Sequence, residues 1–379
     1  YMKIERFGVE RWMDIYENQC EYNLAETCVE SLTVEQLLTI AGKKDQFLSD
    51  LLPMKLPYGA IIGSESLRTS IAKLFTNQNK DNVLITHGAI SANSLVYETL
   101  VEPGDHVIAV LPTYQQHQSI PKSYGAKVDL LRLHEKNGFL PDLNELKQLI
   151  TPKTKLIAIN NPNNPSGSLM DEAFLRELVE IAKSCHAYVL CDEVYRGLDQ
   201  VGNGFTASIV DLYEKGISTG SMSKAYSLAG LRLGWMVSNL PEFLEEVVTH
   251  RDYNTISVGM IDDYLAAMAL SNVDKILERS RSITRANLAV LDEWVAKEPL
   301  ISFTKPKSGT TALLKLEFDM LSWDFCVKLL EATGVMLCPG SVMEMEGYVR
   351  IGYANNIDVL KQGLAKMSEF LKTLNKTNA

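Results

Sequence analysis

The sequence lacks a long apolar run and an excess of basic residues. No stretch of about 18 consecutive apolar residues occurs, so nothing in it predicts a transmembrane helix. Lysine and arginine number 37 against 47 aspartates and glutamates, which gives a net charge of −10. This balance argues against a broad surface for nucleic acid or anionic membrane, because such a surface requires clustered basic residues. We therefore expect neither partner. A local basic pocket that binds a single phosphate group is still compatible with this net charge.

Metal-binding, disulfide and export patterns are also missing. The six cysteines form no C-x-x-C pair, and the six histidines show no ligand spacing. These spacings predict that the cysteines stay in the reduced thiol form and that the protein has no metal site. Residues 1–6 lack the apolar core of a signal peptide. We therefore expect a cytoplasmic protein.

The middle of the chain alternates strand-like and helix-like segments. Short apolar runs rich in β-branched residues predict buried strands at 83–85, 106–110, 156–159 and 187–191. Residues at helical spacing separate them, and Asp171 is the expected cap of one such helix. This alternation predicts an α/β fold, with a three-layer α/β/α domain whose mostly parallel sheet is covered by helices on both faces.

The last third of the chain has a different pattern. Apolar residues between 276 and 295 form one stripe of a long helix that could bridge two domains. Strand-like runs at 301–303, 312–316 and 348–351 predict a small sheet with intervening helices. The predicted domains are a large one at residues 46–260 and a smaller α+β one, built from both chain ends, at residues 1–45 and 261–379.

A lysine lies among small hydroxyl residues in the segment Ser221-Met222-Ser223-Lys224. A lysine amine can form an imine with an aldehyde cofactor. Ser221, Ser223 and Arg232 could supply hydroxyl groups and a guanidinium to a phosphate dianion. A surface lysine in a loop is the structural alternative, and this segment alone leaves it open.

Two polar residues follow the strand predicted at 187–191, namely Asp192 and Tyr195. In an open α/β sheet, ligands bind beyond the carboxyl ends of the strands. A carboxylate there can keep a pyridine nitrogen protonated, and Tyr195 could hydrogen-bond a phenolic oxygen. An aspartate in this position is as often a turn or helix cap.

Three other predicted strand ends carry residues suited to the same cofactor. Gly88 and Ala89 begin a helix whose free N–H groups could bind an anion. The ring of Tyr114 could stack on a flat cofactor or pack in the core. Asn164, between two prolines, could offer its amide to a ring oxygen or belong to a plain turn. All of these groups suit pyridoxal 5′-phosphate.

Arg350 lies in an apolar strand pattern, Tyr348-Val349-Arg350-Ile351. A buried arginine needs a partner, and a substrate carboxylate bound by both guanidinium arms would be a good one. A structural salt bridge is equally compatible with this residue on its own.

The whole set resembles the class I/II aminotransferase family of fold-type I pyridoxal-phosphate enzymes. The resemblance covers nearly the whole chain and is most specific at residues 221–235. It implies that Lys224 is the Schiff-base lysine and proton shuttle. It also implies that Asp192 pairs with the pyridine nitrogen, and that Tyr195 and Asn164 bond the phenolic oxygen. The remaining implied roles are ring stacking for Tyr114, phosphate binding for Gly88, Ala89, Ser221, Ser223 and Arg232, and substrate binding for Arg350 and Asn164.

The same resemblance implies a homodimer whose active sites lie at the subunit interface. Residues 56–59 resemble the segment donated across it, so Tyr58 would reach the neighbour's phosphate. One departure concerns residues 23–28, which contain no glycine where family members often carry a glycine-containing turn. We hypothesise that Glu26 in this stretch recognises a positively charged substrate side chain.

The predicted reaction is transamination between an L-amino acid and a 2-keto acid. The same anchors also serve pyridoxal-phosphate-dependent lyases, oxidases and cyclases, including enzymes that act on arginine-like substrates, so these alternatives stay open. A transcriptional regulator with the aminotransferase fold would need an appended basic DNA-binding domain. Residues 1–45 are too short and too acidic for one.

Overall fold

The computed structural model describes residues 2–377 of the chain. The strands are β1 (Tyr22–Asn23), β2 (Val83–Thr86), β3 (His106–Leu111), β4 (Lys127–Arg132), β5 (Thr154–Asn160), β6 (Tyr188–Asp192), β7 (Gly216–Ser221), β8 (Gly234–Ser238), β9 (Ile301–Phe303), β10 (Thr311–Leu316), β11 (Val335–Met336), β12 (Cys338–Pro339) and β13 (Tyr348–Gly352). The helices are α1 (Gly8–Tyr16), α2 (Val34–Ala41), α3 (Phe47–Leu51), α4 (Glu65–Ala72), α5 (Gly88–Leu100), α6 (Gln116–Ser123), α7 (Leu143–Leu149), α8 (Glu172–Ser184), α9 (Ile209–Leu212), α10 (Pro241–Arg251), α11 (Met260–Ser271), α12 (Val273–Lys297), α13 (Ser322–Thr333) and α14 (Ile357–Thr377).

A seven-stranded sheet forms the centre of the molecule, in the order β2-β8-β7-β6-β5-β3-β4. Strand β8 runs antiparallel to both of its neighbours, and the other pairs are parallel. Every residue of β2, β3, β7 and β8 is buried, as the apolar runs predict for strands covered on both faces. The four strands predicted in the middle of the chain are confirmed as β2, β3, β5 and β6.

Helices cover both faces of this sheet, because alternate strand residues point to opposite sides. On one face, Val107 of β3 packs with apolar residues of α5 and α10. On the other face, Ile108 and Val110 of the same strand pack with α7 and α8. Helix α8 begins as predicted, since the Asp171 carboxylate accepts a hydrogen bond from the Phe174 N–H at 2.8 Å. The three-layer α/β/α arrangement is therefore confirmed.

The carboxyl-terminal third forms a second, antiparallel sheet in the order β12-β13-β10-β9. Its core also contains Trp12 and Leu24 from the amino-terminal end, beside residues of α13 and α14. A two-stranded parallel sheet, β1 with β11, joins the two ends of the chain. Both chain ends thus contribute to one packed unit, and the domain limits near residues 45 and 260 stay a prediction.

Helix α12 connects the two cores, as the apolar stripe predicts. Near its start, Ile276 and Leu277 pack in the core that includes β2 and β8. Near its end, Leu288, Leu291 and Val295 pack in the core of the smaller sheet. Across the described residues, no helix is long and apolar enough to cross a lipid bilayer.

Candidate active site

The carboxyl ends of β5, β6 and β7 open onto a cavity of about 560 Å³. Its walls also include residues of the amino-terminal segment and of β13. This is the edge of a parallel sheet where α/β proteins bind ligands. Most of the residues predicted from the sequence line it, namely Glu26, Ala89, Tyr114, Asn164, Asp192, Tyr195, Ser221, Ser223, Lys224, Arg232 and Arg350.

The Lys224 amine points into this cavity, three residues after β7 ends. It donates a hydrogen bond to the Thr27 hydroxyl at 2.5 Å and lies 4.0 Å from the Cys28 sulfur. Burial lowers the pKa of Lys224, but Coulombic interaction with Tyr195 and Cys28 raises it, and the net pKa lies above that of an ordinary lysine.

The Asp192 carboxylate is buried and held in place from two sides. One oxygen, Oδ2, accepts a hydrogen bond from the Asn93 side chain at 3.0 Å and lies 3.3 Å from His117 Nε2. His117 is itself fixed by the Tyr97 hydroxyl, 2.7 Å from its Nδ1. The other oxygen, Oδ1, accepts from the Val194 N–H at 3.3 Å. Sequence reasoning missed Asn93, His117 and Tyr97, because these side chains meet around Asp192 only when α5 and α6 pack together.

The amino terminus of α5 forms a cradle for an anion. Its N-cap residue, His87, makes no side-chain capping bond, so the first N–H groups of the helix have no cap. Gly88 has a positive φ of 73°, and Arg232 Nη2 lies 3.1 Å from where a Cβ on Gly88 would sit. Ser221 and Ser223 are adjacent to the same cavity, with the Ser223 N–H bonded to the Ser221 hydroxyl at 3.2 Å.

Two tyrosines and one asparagine complete the polar wall of the cavity. The Tyr195 hydroxyl is buried and has no hydrogen-bond partner within residues 2–377. The Tyr114 hydroxyl donates to Glu10 Oε1 at 3.0 Å, and burial together with Glu10 raises the pKa of Tyr114. Asn164 Oδ1 accepts from an Arg350 nitrogen, Nη1, at 3.4 Å.

Arg350 lies in β13 and is only 3% exposed. Besides Asn164, it donates through Nη2 to the Ala25 carbonyl at 3.1 Å, while its Nε has no partner among the described residues. It forms no ion pair with any residue that the structure describes, so a structural salt bridge does not account for it. A buried guanidinium with an unused donor is suited to a carboxylate ligand.

Tyr58 lies apart from the cavity of its own chain. Its side chain is 79% exposed, and the same stretch of sequence contains other exposed apolar residues, including Leu52, Leu56 and Ile61. The structure adds two carboxylates that the sequence reasoning missed, Glu10 and Glu17, which line the cavity with Glu26. No local pattern marked them, because they reach the site only through the packing of α1.

Comparisons with proteins of known sequence and structure identify several that are similar to this chain. The family model described as "Aminotransferase class I and II" matches residues 49–365. The chain is 33% identical over 317 residues to a capreomycidine synthase of Streptomyces vinaceus, covering 83% of this chain and 81% of that protein. It is 31% identical over 325 residues to an aspartate aminotransferase of Thermotoga maritima, covering 82% of each. A crystal structure of a PLP-dependent aminotransferase from Streptococcus suis is similar with a TM-score of 0.95 and 46% identity, covering 98% of this chain and 99% of that one.

Proposed function

Since the chain belongs to the class I and II aminotransferase family, whose members depend on pyridoxal phosphate, we propose that the cavity beyond β5, β6 and β7 is its site of transamination. The reaction moves an amino group between an L-amino acid and a 2-keto acid. The observation that carries this proposal is the convergence of Lys224, Asp192 and Arg350 on one cavity. These residues come from three separate parts of the chain.

The residues of the cavity suit pyridoxal 5′-phosphate. The uncapped amino terminus of α5 beside Arg232 suits a phosphate dianion. The Asp192 carboxylate, oriented by Asn93, suits a protonated pyridine nitrogen. The unpartnered Tyr195 hydroxyl suits a phenolic oxygen. We therefore assign Lys224 as the residue that holds the cofactor covalently.

The chain's own groups would then bind the substrate and move a proton. When bound, the cofactor takes up the electron pair released as the Cα–H bond breaks. Arg350 and Asn164 would hold the α-carboxylate, which fixes Cα beside the Lys224 amine. Lys224 would remove the Cα proton as a general base and return a proton as an acid. The Thr27 hydroxyl, 2.5 Å from that amine, would keep it oriented.

We also propose a cytoplasmic homodimer with shared active sites. Exposed apolar residues around Tyr58 support a subunit interface there, because a patch of this kind is unusual on a monomer. In that dimer, Tyr58 would bond the phosphate in the partner's cavity. The six cysteines are all free, which supports a reducing compartment.

Covalent trapping of the cofactor tests the central assignment. The purified enzyme, loaded with pyridoxal phosphate and treated with borohydride, should carry one reduced adduct at Lys224, located by peptide mass spectrometry. Lys224→Ala should abolish both the adduct and the activity, whereas Lys153→Ala, at an exposed lysine outside the cavity, should retain both. A single-site adduct that persists in Lys224→Ala would refute the assignment.

A second reaction class is favoured by one relative, the synthase with 33% identity. The same anchors would serve a lyase, an oxidase or a cyclase. A panel of amino donors with analysis of keto acid, ammonia and peroxide separates these cases. Keto acid without ammonia supports transamination, and peroxide indicates an oxidase.

A further inference from the structure

We propose that the amino-acid substrate of this site has a positively charged group, an ammonium or a guanidinium, at the end of its side chain. The inference rests on the proposed function, since it takes Lys224 and Arg350 as the positions of the reacting amine and the α-carboxylate. With those two ends fixed, the substrate side chain extends toward the amino-terminal wall of the cavity.

Three carboxylates line that wall, those of Glu10, Glu17 and Glu26. None of them forms an ion pair with a residue that the structure describes. Burial raises the pKa of the Cys20 thiol, and Glu17 and Glu26 both add to this shift. The two carboxylates therefore both act on the region around Cys20 in the amino-terminal segment. Three negative groups without a cation partner create a field that favours a positive ligand.

The Glu10 carboxylate and the backbone at Glu26 are both positioned by contacts with the rest of the site. Glu10 accepts a hydrogen bond from the Tyr114 hydroxyl at 3.0 Å. The residue before Glu26 is Ala25, whose carbonyl accepts from Arg350 Nη2 at 3.1 Å. In addition, a Cβ on Gly352 would lie 1.7 Å from the Glu26 carbonyl oxygen, so the backbone at Glu26 lies directly against β13. A substrate held by Arg350 would therefore lie close to the segment that carries Glu26.

Each positively charged side chain that lines the cavity in this chain is already assigned to another group, so none is available to pair with an acidic substrate side chain. Within the described chain, the lysine and arginine residues that line it are Lys224, Arg232 and Arg350. The proposed function uses them for the amine, the phosphate and the α-carboxylate. Among the residues of one chain, a second carboxylate, as in aspartate, would therefore have no counter-ion and would face like charges.

Unsatisfied groups in the same cavity indicate that it holds a ligand. The Arg350 Nε and the Tyr195 hydroxyl are buried without a partner among the described residues. Apolar side chains of Val9, Met13 and Ile90 form part of the wall near the carboxylates. Such a surface suits a methylene stem that ends in a charged group.

Paired substrates of equal shape and different charge test this inference on the holoenzyme. Arginine is compared with citrulline, lysine with norleucine, and glutamate is added as an acidic donor. We expect kcat/KM for each cationic amino acid to exceed that of its neutral counterpart on the order of tenfold, and the ratio to fall as salt is added. Preference between arginine and lysine then identifies the charged group as guanidinium or ammonium.

Charge-removing variants connect the preference to the carboxylates. Glu26→Gln and Glu17→Gln should each lower the ratio of arginine to citrulline roughly two- to fivefold. Glu21→Gln is the control, because Glu21 is exposed on the same segment but lies outside the cavity. It should leave the ratio unchanged. A merely structural role of Glu26 would reduce the turnover of both amino acids alike and would overturn its assignment.

The possible outcomes separate this inference from the proposed function. Equal turnover of arginine and citrulline to keto acids overturns the charge preference and leaves transamination standing. A preference for glutamate also overturns it. Cationic donors that are favoured but yield ammonia, peroxide or a cyclic product support the charge preference and refute transamination. A holoenzyme that acts on none of these amino acids refutes both.

Discussion

At the scale of the residue, the proposed function predicts that Arg350 binds the substrate carboxylate. Its guanidinium is buried, bonded to Asn164 and Ala25, and retains an unused Nε. Replacing it with leucine removes a charge-assisted bidentate contact worth roughly 1.5–3 kcal/mol. Arg350→Leu should therefore raise KM for the amino donor on the order of tenfold or more, while cofactor binding is retained.

Steady-state kinetics and a cofactor titration measure these two properties separately. Arg176→Leu, at an exposed arginine of α8, provides the matched control and should leave KM unchanged. An Arg350→Leu enzyme with the KM of the wild type would show that this arginine has a structural role.

At the scale of the element, the phosphate cradle depends on how closely β8 approaches the start of α5. Gly234 opens β8 and pairs with Thr86 and Ser221 on its two neighbours. A Cβ on Gly234 would lie 2.4 Å from the Gly88 carbonyl carbon and 2.5 Å from the Ala89 nitrogen. Alanine at position 234 must therefore displace the first turn of α5, from which the phosphate-binding N–H groups come.

Gly234→Ala should lower the free energy of unfolding by about 1–3 kcal/mol, as overpacking of a close contact does, and should weaken the retention of pyridoxal phosphate. Gly230→Ala is the control, because a Cβ there has no atom within 4 Å. Denaturant unfolding and cofactor titration of the two variants give the comparison. If both variants bind the cofactor equally well, the approach of β8 does not shape the phosphate site.

At the scale of the whole molecule, the proposed dimer places Tyr58 in the site of the partner chain. Tyr58 is exposed and does not line the cavity of its own chain. We expect Tyr58→Phe to weaken cofactor binding in the cavity of the partner chain and not in the cavity of its own chain. In a mixed dimer of Lys224→Ala and Tyr58→Phe chains, one of the two sites then combines the wild-type lysine with a wild-type tyrosine from its partner.

Co-expression of the two differently tagged chains and isolation of the mixed dimer provide the measurement. We expect each mixed dimer to contain one site that binds the cofactor with wild-type affinity. Neither the Lys224→Ala homodimer nor the Tyr58→Phe homodimer should contain such a site. A mixed dimer whose working site binds as weakly as the Tyr58→Phe parent would place Tyr58 in the site of its own chain.

The sequence alone was sufficient for much of the fold and for the main groups of the cavity. The strands β2, β3, β5 and β6 were predictable because their apolar runs are local patterns. The bridging helix α12 was predictable from its apolar stripe, and the cap at Asp171 from its position before a helical repeat. Asp192 was recognisable because residues at the carboxyl ends of parallel strands meet at one edge of the sheet. Lys224 was recognisable because it lies among small hydroxyl residues in the segment 221–235, which resembles the family.

Other features of the site were decided only by the tertiary structure. The Thr27 hydroxyl meets the Lys224 amine across 197 residues, and Asn93 meets Asp192 across 99. Such contacts leave no periodic trace in the sequence, because they depend on how separate elements pack. The net charge of −10 likewise gave no indication that Glu10, Glu17 and Glu26 would face one cavity. Local patterns thus determined which elements form and which cofactor they suit, whereas packing between distant segments decided the charge that surrounds the substrate.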